Sequence, residues 1–243
     1  MIPNCVSYDP TFHYELAVII QDGLRRMNQE QEDVFYYITV MNENYCHPAL
    51  PKGAEKGILK GLYQLSEGGR VKGKGKKALP RVQLLGSGTI LREVMVAAEM
   101  LEADWGVAAD VWSATSFNEL RREAQEAHRW NLLHPDKKAR SSFVEQCLDG
   151  TEGPVIASTD YMRAFADQIR PYVHRRYVTL GTDGFGRSDS REALRSFFEV
   201  DRRYVVLAAL KALADDGVLP ASKAAEAIQK YGIDADRANP VNV

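Results

Sequence analysis

The spacing of apolar residues changes character at about residue 80. From residue 81 onward, short apolar runs alternate with longer stretches in which apolar residues recur every three or four positions. The short runs predict buried strands, and the longer stretches predict helices with one buried face. The predicted strands cover about residues 82–85, 107–113, 154–157 and 177–180. Because strand and helix alternate four times, residues 81–243 are predicted to form an α/β domain of three layers, a mostly parallel sheet with helices on both faces.

Five helices are predicted in the same part of the chain. They begin at about residues 88, 116, 160, 201 and 221. The second has the clearest start, because Ser116 and Glu119 have the spacing of a capping box. Pro171 ends the third helix, and Gly217 follows the fourth at the position of a C-terminal cap.

The first 50 residues carry a separate, shorter pattern. Asp9 and Pro10 predict a helix start, with an acidic N-cap before a proline at the first helical position. Apolar residues then recur at helical spacing as far as Met27. Residues 34–41 are rich in β-branched and aromatic side chains, which favours a buried strand. A strand outside a complete sheet exposes its edges and its apolar face, so we expect residues 1–50 to pair with a second copy or to be mobile.

Residues 51–80 are interpreted as a connector. Pro48 and Pro51 exclude a continuous helix at its start, and a short helix is predicted over about residues 54–65. Residues 68–77 are rich in glycine and lysine and predict a flexible, solvated loop. A phosphate or nucleic-acid patch is the alternative, although this stretch lacks the interleaved aromatic residues that such patches use.

Composition and charge narrow the class of protein. The chain has 243 residues and a formal net charge of -2, which gives no general attraction to nucleic acid or to an anionic membrane. It contains no apolar run of 18 or more residues, and its first residues lack the features of a secretory or transit signal. Its 3 cysteines are odd in number and widely spaced, which disfavours a disulfide framework or a zinc motif. We therefore expect a cytoplasmic protein with no nucleic-acid partner and no membrane partner.

Three side chains suited to proton transfer follow the strand predicted over residues 34–41. Glu43, Tyr45 and His47 supply a carboxylate, a phenol and an imidazole within five residues. Such groups take part in proton transfer near neutral pH, so this segment is a candidate catalytic site. Cys46 lies among them, but nothing in the sequence marks its thiol as activated, and a plain buried thiol is the simpler interpretation.

A glycine-rich, charged segment follows the last predicted strand. Residues 181–191 contain three glycines and the charged side chains Asp183, Arg187, Asp189 and Arg191. In a parallel sheet the loop after a strand lies at the carboxyl edge, where α/β proteins bind ligands. Arginine can bind a carboxylate or a phosphate through two hydrogen bonds. Two interpretations stay open: a ligand-binding loop, and an interface loop locked by ion pairs among these four residues.

Gly86, Ser87 and Gly88 stand between a predicted strand and a helix, as in phosphate-binding turns. The full dinucleotide fingerprint is absent, since Leu91 occupies the position of the third glycine, and no P-loop lysine follows. An ordinary tight turn is the simpler interpretation. A nucleotide-binding α/β domain is therefore the weakest of the functional alternatives.

Several longer stretches resemble one family. Residues 7–12, 19–24, 37–45, 129–135, 157–162, 181–192 and 198–201 are similar to the homodimeric bacterial pyruvate dehydrogenases. These stretches are long and spread over almost the whole chain, so chance is a poor explanation. Members of this family are thiamine-diphosphate enzymes with a transketolase-like architecture. They decarboxylate pyruvate and transfer the acetyl group to lipoyl groups of the dihydrolipoyl acyltransferase component.

The resemblance implies a division of the chain. Residues 1–50 resemble the end of the pyrimidine-binding domain, and residues 81–243 resemble the complete C-terminal domain of a transketolase-like enzyme. Members hold Mg²⁺ and the cofactor diphosphate through a Gly-Asp-Gly segment and an asparagine, and they activate the cofactor with a glutamate further upstream. This chain contains no Gly-Asp-Gly. We therefore expect the chain alone neither to bind thiamine diphosphate and Mg²⁺ nor to turn over pyruvate.

The same resemblance assigns roles and partners. It implies that Glu43 belongs to a substrate-side loop that also carries a histidine. That histidine is expected at the position of Cys46, so either His47 takes the role from the next position or the role is lost. The resemblance also implies a homodimer with a second copy of the chain, and the acyltransferase component as partner of the full enzyme. A stand-alone interaction module without enzymatic activity is the alternative.

Overall fold

The computed structural model describes residues 2–69 and 79–243. Its strands are β1 (Cys5–Tyr8), β2 (Phe35–Ile38), β3 (Tyr63–Ser66), β4 (Arg81–Gly86), β5 (Ala108–Ser113), β6 (Val155–Ser158) and β7 (Tyr177–Leu180). Its α-helices are α1 (His13–Leu24), α2 (Glu55–Lys60), α3 (Leu91–Trp105), α4 (Phe117–Leu133), α5 (Phe143–Leu148), α6 (Arg163–Asp167), α7 (Arg191–Phe197), α8 (Arg202–Asp215) and α9 (Ser222–Lys230). The loop predicted over residues 68–77 falls mostly outside the described residues. Within the described ranges, no helix combines the length and the apolar character that a membrane crossing needs.

The main sheet has five strands in the order β3-β5-β4-β6-β7. Strands β4 to β7 run parallel, whereas β3 is antiparallel to β5 at one edge. The two faces of the sheet carry separate buried clusters. Val82 and Leu84 share one cluster with residues of α3 and α8, and Leu85 belongs to the other, with residues of α4 and α5. The predicted three-layer, mostly parallel α/β fold is confirmed.

The four strands predicted after residue 81 are all present, and each end lies within one residue of its predicted position. Helix α4 begins as predicted after Ser116, whose hydroxyl accepts the backbone N–H of Glu119 at 3.0 Å. The helix predicted from about residue 160 is different. It consists of the five-residue helix α6 and a separate 3₁₀ turn at Arg170–Tyr172.

Four elements were not predicted: β1, β3, α5 and α7. Strand β3 adds the antiparallel edge to the main sheet. The helix predicted over about residues 54–65 is therefore wrong in its second half, because α2 ends at Lys60 and β3 begins at Tyr63. Helix α5 begins with a capping box in which Ser142 and Glu145 each accept the other's backbone N–H, at 3.3 and 2.5 Å. These elements have four to seven residues, which is too short for apolar periodicity to reveal them.

Residues 2–48 form a unit of two parallel strands, β1 and β2, joined by helix α1. Tyr8, Phe12 and Ile19 are almost fully buried in the cluster that also contains residues of α3 and α8. This unit therefore packs on the main domain and shares its hydrophobic core.

Helix α1 begins at His13, three residues later than the predicted start at Pro10. The carboxylate of Glu15 accepts the backbone N–H groups of Thr11 and Phe12 at 2.5 and 2.9 Å. Those two donors are satisfied by a side chain, with Phe12 in an extended conformation, so the helix starts after them.

Strand β2 is shorter than predicted, and the prediction of a buried strand is wrong, because none of its four residues is fully buried. Phe35 and Tyr37 share one face and are 44% and 60% exposed, and Val40, beyond the end of the strand, is 71% exposed. Among the described strands, β2 pairs only with β1. The expected exposure of apolar side chains is therefore present, and pairing with a second copy stays a prediction.

The order of strands creates a crevice at one edge of the main sheet. The chain leaves β4 toward β5 on one side and later returns to β6 on the other side. The carboxyl ends of β4 and β6 therefore flank a gap, which is the usual ligand position in an open α/β sheet. The end of β1 meets the same edge, because the backbone N–H of Gly88 donates to the carbonyl of Asp9 at 3.1 Å.

Candidate functional site

Segment 42–48 crosses the junction between the N-terminal unit and the main domain, and Glu43 is its best-anchored side chain. Arg92 of α3 binds one carboxylate oxygen of Glu43 at 2.6 Å. Arg195 of α7 binds the other oxygen at 3.2 Å, and Arg191 of α7 lies 3.8 Å from that oxygen. Three guanidinium groups therefore surround one carboxylate.

This environment keeps Glu43 ionised. The hydrogen bond from Arg92 is the main cause that lowers the pKa of the Glu43 carboxyl, partial burial opposes it, and Arg195 adds to the lowering. A carboxyl with a lowered pKa is a weak general base at neutral pH. Glu43 is therefore better suited to supply a fixed negative charge than to transfer a proton.

A second carboxylate extends the same network. Arg195 also binds Glu93 at 3.3 Å and the hydroxyl of Thr89 at 2.6 Å. Arg202, at the start of α8, binds Glu93 at 2.8 Å. Burial alone would raise the pKa of the Glu93 carboxyl, but its hydrogen bonds from Arg202 and the charge of Arg195 lower it overall. The network joins α3, α7 and α8 behind segment 42–48.

Tyr45 and His47 lie on the other side of the segment. The hydroxyl of Tyr45 donates to the carbonyl of Thr11, and the Tyr45 ring stacks on the imidazole of His47 with 4.5 Å between centroids. The guanidinium of Arg92 lies 4.2 Å from the Tyr45 ring centroid. The Nδ1 atom of His47 accepts the backbone N–H of His13 at 3.1 Å. The neutral imidazole therefore carries its proton on Nε2.

The three predicted site residues are thus brought together, but their chemistry differs from the expectation of a shared proton-transfer group. Glu43 is fixed by arginines, and burial raises the pKa of the Tyr45 phenol, whose proton is donated to a backbone carbonyl. His47 is exposed. The expectation of a buried Cys46 thiol is wrong, since Cys46 is exposed.

The acidic residues of loop 181–191 are satisfied locally. Asp183 accepts the backbone N–H of Arg163 at 3.0 Å, and its carboxylate lies 3.6 Å from the Nε atom of the same arginine. Asp189 accepts the backbone N–H of Ser190 at 2.7 Å. Neither carboxylate pairs with an arginine of its own loop within the described residues. Ion pairs among the four charged residues are therefore absent from the described part of the chain, and the interface and ligand-binding roles of the loop both stay predictions.

The two arginines of that loop region lie along a cleft instead. Arg191 donates to the side-chain oxygen of Asn42 at 2.5 Å. The guanidinium of Arg187 lies 4.6 Å from the ring centroid of Phe197. Arg191 therefore connects the start of α7 with segment 42–48. Arg187 connects the loop with the end of α7.

Two cavities meet at Glu43. The larger, of about 680 Å³, lies at the crevice between β4 and β6 and is bordered by Glu43, Asp160, Arg187, Arg191 and Arg195. The smaller, of about 530 Å³, is bordered by Glu43, Tyr45, Cys46, His47 and Arg92. Glu43 and Arg195 border both cavities, so one ion pair forms the wall between them.

The turn after β4 favours packing over phosphate binding. A Cβ atom at Gly86 would lie 2.6 Å from the Cα atom of Leu91, so this glycine allows the close approach of β4 and α3. Across residues 2–69 and 79–243, no group of three or more His, Cys, Asp or Glu side chains could hold a metal ion.

The partners of Glu43 were not identified from the sequence. One signal was available, because Arg191 and Arg195 are four residues apart, the spacing of a single helix face. Arg92 and Glu93 come from a distant segment, and no local pattern joins them to Glu43. Only the packing of α3 and α7 beside segment 42–48 brings these groups together.

Comparisons with known proteins agree with the fold described above. Residues 61–201 match the family model described as the transketolase-like TK C-terminal domain, and residues 1–48 match the pyruvate dehydrogenase E1 component middle domain. The chain is 62% identical to the pyruvate dehydrogenase E1 components of Cupriavidus necator and Pseudomonas aeruginosa, and 55% identical to that of Escherichia coli K12. These alignments cover 98% to 100% of this chain but only 26% or 27% of each relative.

Solved transketolases share the fold. The enzyme of Leishmania mexicana superposes with a TM-score of 0.59 at 17% identity, over 90% of this chain and 27% of its own. A sedoheptulose-7-phosphate complex of the Pichia stipitis enzyme gives 0.56 at 18% identity, over 88% and 26%. The inactive beta4 tetramer of a split-gene transketolase gives 0.51 at 19% identity, over 87% and 58%. The resemblance to pyruvate dehydrogenases is confirmed: the chain belongs to the family with a transketolase-like C-terminal domain, and it is homologous to the C-terminal quarter of bacterial pyruvate dehydrogenase E1 components.

Proposed function

We propose that the chain is the C-terminal part of a pyruvate dehydrogenase E1 component. The full enzyme would decarboxylate pyruvate with thiamine diphosphate and transfer the acetyl group to lipoyl groups of the dihydrolipoyl acyltransferase component. The observation that carries this proposal is the 62% identity to such an enzyme over the complete chain. The chain spans about a quarter of the length of that relative, so the activity belongs to a longer protein.

The residues present do not fit a site for Mg²⁺ or for the cofactor diphosphate. The sequence contains no Gly-Asp-Gly, and the described part of the chain has no cluster of metal-binding side chains. We therefore assign these groups to the part of the enzyme that precedes the matched quarter, and we assign no step through the cofactor to this chain.

We assign segment 42–48 to the substrate side of the active site. The hydrogen bond from His13 fixes the His47 imidazole with its proton on Nε2, which is the position from which an imidazole can exchange a proton with a lipoyl sulfur. Glu43 holds Arg92 and Arg195 in place as a permanent anion. Tyr45 supports His47 by ring stacking and by its bond to Thr11. His47 would then act directly, and Glu43 and Tyr45 would position the segment.

We further propose that the chain pairs with a second copy of itself in the full enzyme. The exposed face of β2, with Phe35 and Tyr37, and the exposed Val40 that follows the strand support a buried interface in the assembly. The acyltransferase component would bind the full enzyme as a separate partner that delivers the lipoyl group.

The role of His47 is tested by His47→Ala in the full-length enzyme that carries this sequence. We expect acetyl transfer to a lipoyl acceptor to fall by about a hundredfold, as for loss of a general acid or base. Decarboxylation of pyruvate, followed with an artificial oxidant, should change little. His134→Ala is a suitable control, because His134 stacks on Trp130 at the end of α4. An acetyl-transfer rate equal to that of the control variant would remove His47 from the mechanism.

A stand-alone, non-enzymatic module is the second candidate. It is supported by the fold shared with the inactive beta4 tetramer of a split-gene transketolase. An antibody against this chain distinguishes the two in source cells. A native polypeptide several times larger than 27.2 kDa supports the E1 component, whereas a band at 27.2 kDa supports the module.

A further inference from the structure

The geometry points to a second ligand site in this chain: the cleft of about 680 Å³ between β4 and β6 binds a small organic anion. The ligand has an apolar body and a carboxylate or phosphoryl head group. Arg187 and Arg191 bind the head group. This site adjoins the cavity that contains His47 and shares Glu43 and Arg195 with it as a common wall, but the inference rests on the geometry of the cleft and not on the proposed enzyme activity.

More positively charged than negatively charged side chains line the cleft. Three arginines and two carboxylates border it, Arg187, Arg191 and Arg195 against Glu43 and Asp160. Glu43 is satisfied by Arg92 from outside the cleft and by Arg195, and Asp160 lies within electrostatic range of Arg195. The other two arginines are left without a carboxylate at hydrogen-bonding distance among the described residues.

Arg191 is held by a neutral amide and by one long ion pair, and Arg187 is held by an aromatic ring. Arg191 donates to the side-chain oxygen of Asn42 at 2.5 Å, while its Nε atom stays 3.8 Å from Glu43. Arg187 lies over the ring of Phe197 at 4.6 Å. A contact with an aromatic face orients a guanidinium but leaves its charge and its N–H donors unused. Both side chains are therefore prepositioned for an anion, which lowers the entropy cost of binding.

Phe197 is itself fixed from its other side. Arg237 lies 5.8 Å from the Phe197 ring centroid and donates to the backbone carbonyls of Ser196 and Phe197 at 3.0 Å each. These bonds anchor the end of α7 to residues near the C-terminal end of the chain. The ring on which Arg187 rests is therefore part of a rigid support.

The remaining walls of the cleft favour a ligand with an apolar body. Ile90, Leu194, Phe198 and Val200 form apolar walls next to the arginines. A concave site of this size, with apolar walls and a few convergent polar groups, has the usual properties of a small-molecule site. Its position at the carboxyl ends of β4 and β6 is the one where open α/β sheets bind ligands. A purely inorganic anion would leave these apolar walls in contact with water.

Calorimetric titration of the full-length protein that carries this sequence with hexanoate tests the site, with hexanamide, acetate and hexyl phosphate as matched probes. We expect saturable binding of hexanoate, weaker binding of acetate, and none of the neutral hexanamide. Hexyl phosphate should bind as well, and the tighter of the two six-carbon anions identifies the head group. Arg187→Gln and Arg191→Gln should each weaken binding about tenfold or more, as expected for loss of a charge-assisted hydrogen bond.

Arg129→Gln is the matched control, because Arg129 is an exposed arginine on α4, outside the cleft. Thermal unfolding of each variant confirms that its fold is intact. The inference is overturned if hexanamide binds as well as hexanoate, if both cleft variants bind like Arg129→Gln, or if neither six-carbon anion saturates the chain at about 10 mM.

Discussion

Two carboxylates tie residues 2–48 to the main domain, and they do so in opposite ways. Glu15 is completely buried and accepts four hydrogen bonds from neutral groups. Its donors are the backbone N–H groups of Thr11 and Phe12, at 2.5 and 2.9 Å, and the hydroxyls of Tyr63 and Ser113, both at 2.6 Å. Glu43 is held by guanidinium groups, and its side chain is 23% exposed at the wall of two cavities.

The type of hydrogen-bond donor and the degree of burial distinguish a structural carboxylate, such as Glu15, from a functional one, such as Glu43. The donors of Glu15 are uncharged, and each uses its hydrogen atom in the bond to Glu15. They therefore have no further donor that could bind a ligand. Burial and the nearby Glu15 carboxylate raise the pKa of the Tyr63 phenol, which keeps that hydroxyl a donor. The arginines around Glu43 keep further N–H donors, and their positive charge reaches the cleft. Substitutions at the two sites should therefore change different properties.

The largest loss in the free energy of unfolding is expected for a substitution at Glu15. Glu15→Ala removes an acceptor from buried hydroxyls on β3 and β5 and from two backbone N–H groups, so the free energy of unfolding should fall by about 3 to 5 kcal/mol. Urea denaturation followed by circular dichroism measures it. The control Glu226→Ala removes an exposed ion pair with Lys223 and should change the free energy of unfolding by less than about 0.5 kcal/mol. Equal effects in the two variants would contradict the structural role of Glu15.

An intermediate effect is expected at Glu43. Glu43→Gln loses hydrogen bonds between charged groups, which partial solvent exposure weakens, so we expect a loss of about 1 to 2 kcal/mol in the free energy of unfolding. Because the folded state lowers the pKa of Glu43, its contribution to stability is present above the ordinary carboxyl pKa and is lost as the pH falls through the lowered value. The difference between wild type and Glu43→Gln should therefore be constant from pH 7 to about 5 and should shrink below about pH 4. A difference that grows on acidification would exclude this assignment.

The smallest effect is expected at Tyr45, which links the two sites through Thr11. Tyr45→Phe removes the hydroxyl that donates to the Thr11 carbonyl but keeps the stacked ring. The free energy of unfolding should fall by about 0.5 to 1.5 kcal/mol. Binding of hexanoate in the cleft should stay within twofold of wild type, since Tyr45 does not border that cleft. A loss of hexanoate binding in this variant would show that the two cavities are coupled.

The alternation of apolar runs and helical stretches in the sequence determined the architecture of the main domain. Four parallel strands were placed correctly, because each is a short apolar run between turn residues. Strands β4, β5 and β6 are buried on both faces of the sheet, and the edge strand β7 has alternate residues buried. The grouping of Glu43, Tyr45 and His47 was also available, because these residues are neighbours in the chain. The sequence alone is sufficient to predict which residues lie together when those residues are neighbours along the chain.

Only the tertiary structure decided what those residues do. The edge strand β3 pairs with β5 across some fifty residues of sequence, and the local pattern had assigned most of its residues to the end of a helix. The arginines that keep Glu43 ionised lie 49 and 152 positions further along the chain, on helices α3 and α7. The charged loop residues, for which mutual ion pairs were one of two open interpretations, contact separate partners for the same reason. Electrostatic environment depends on distances in space, and a pattern along one chain does not contain those distances.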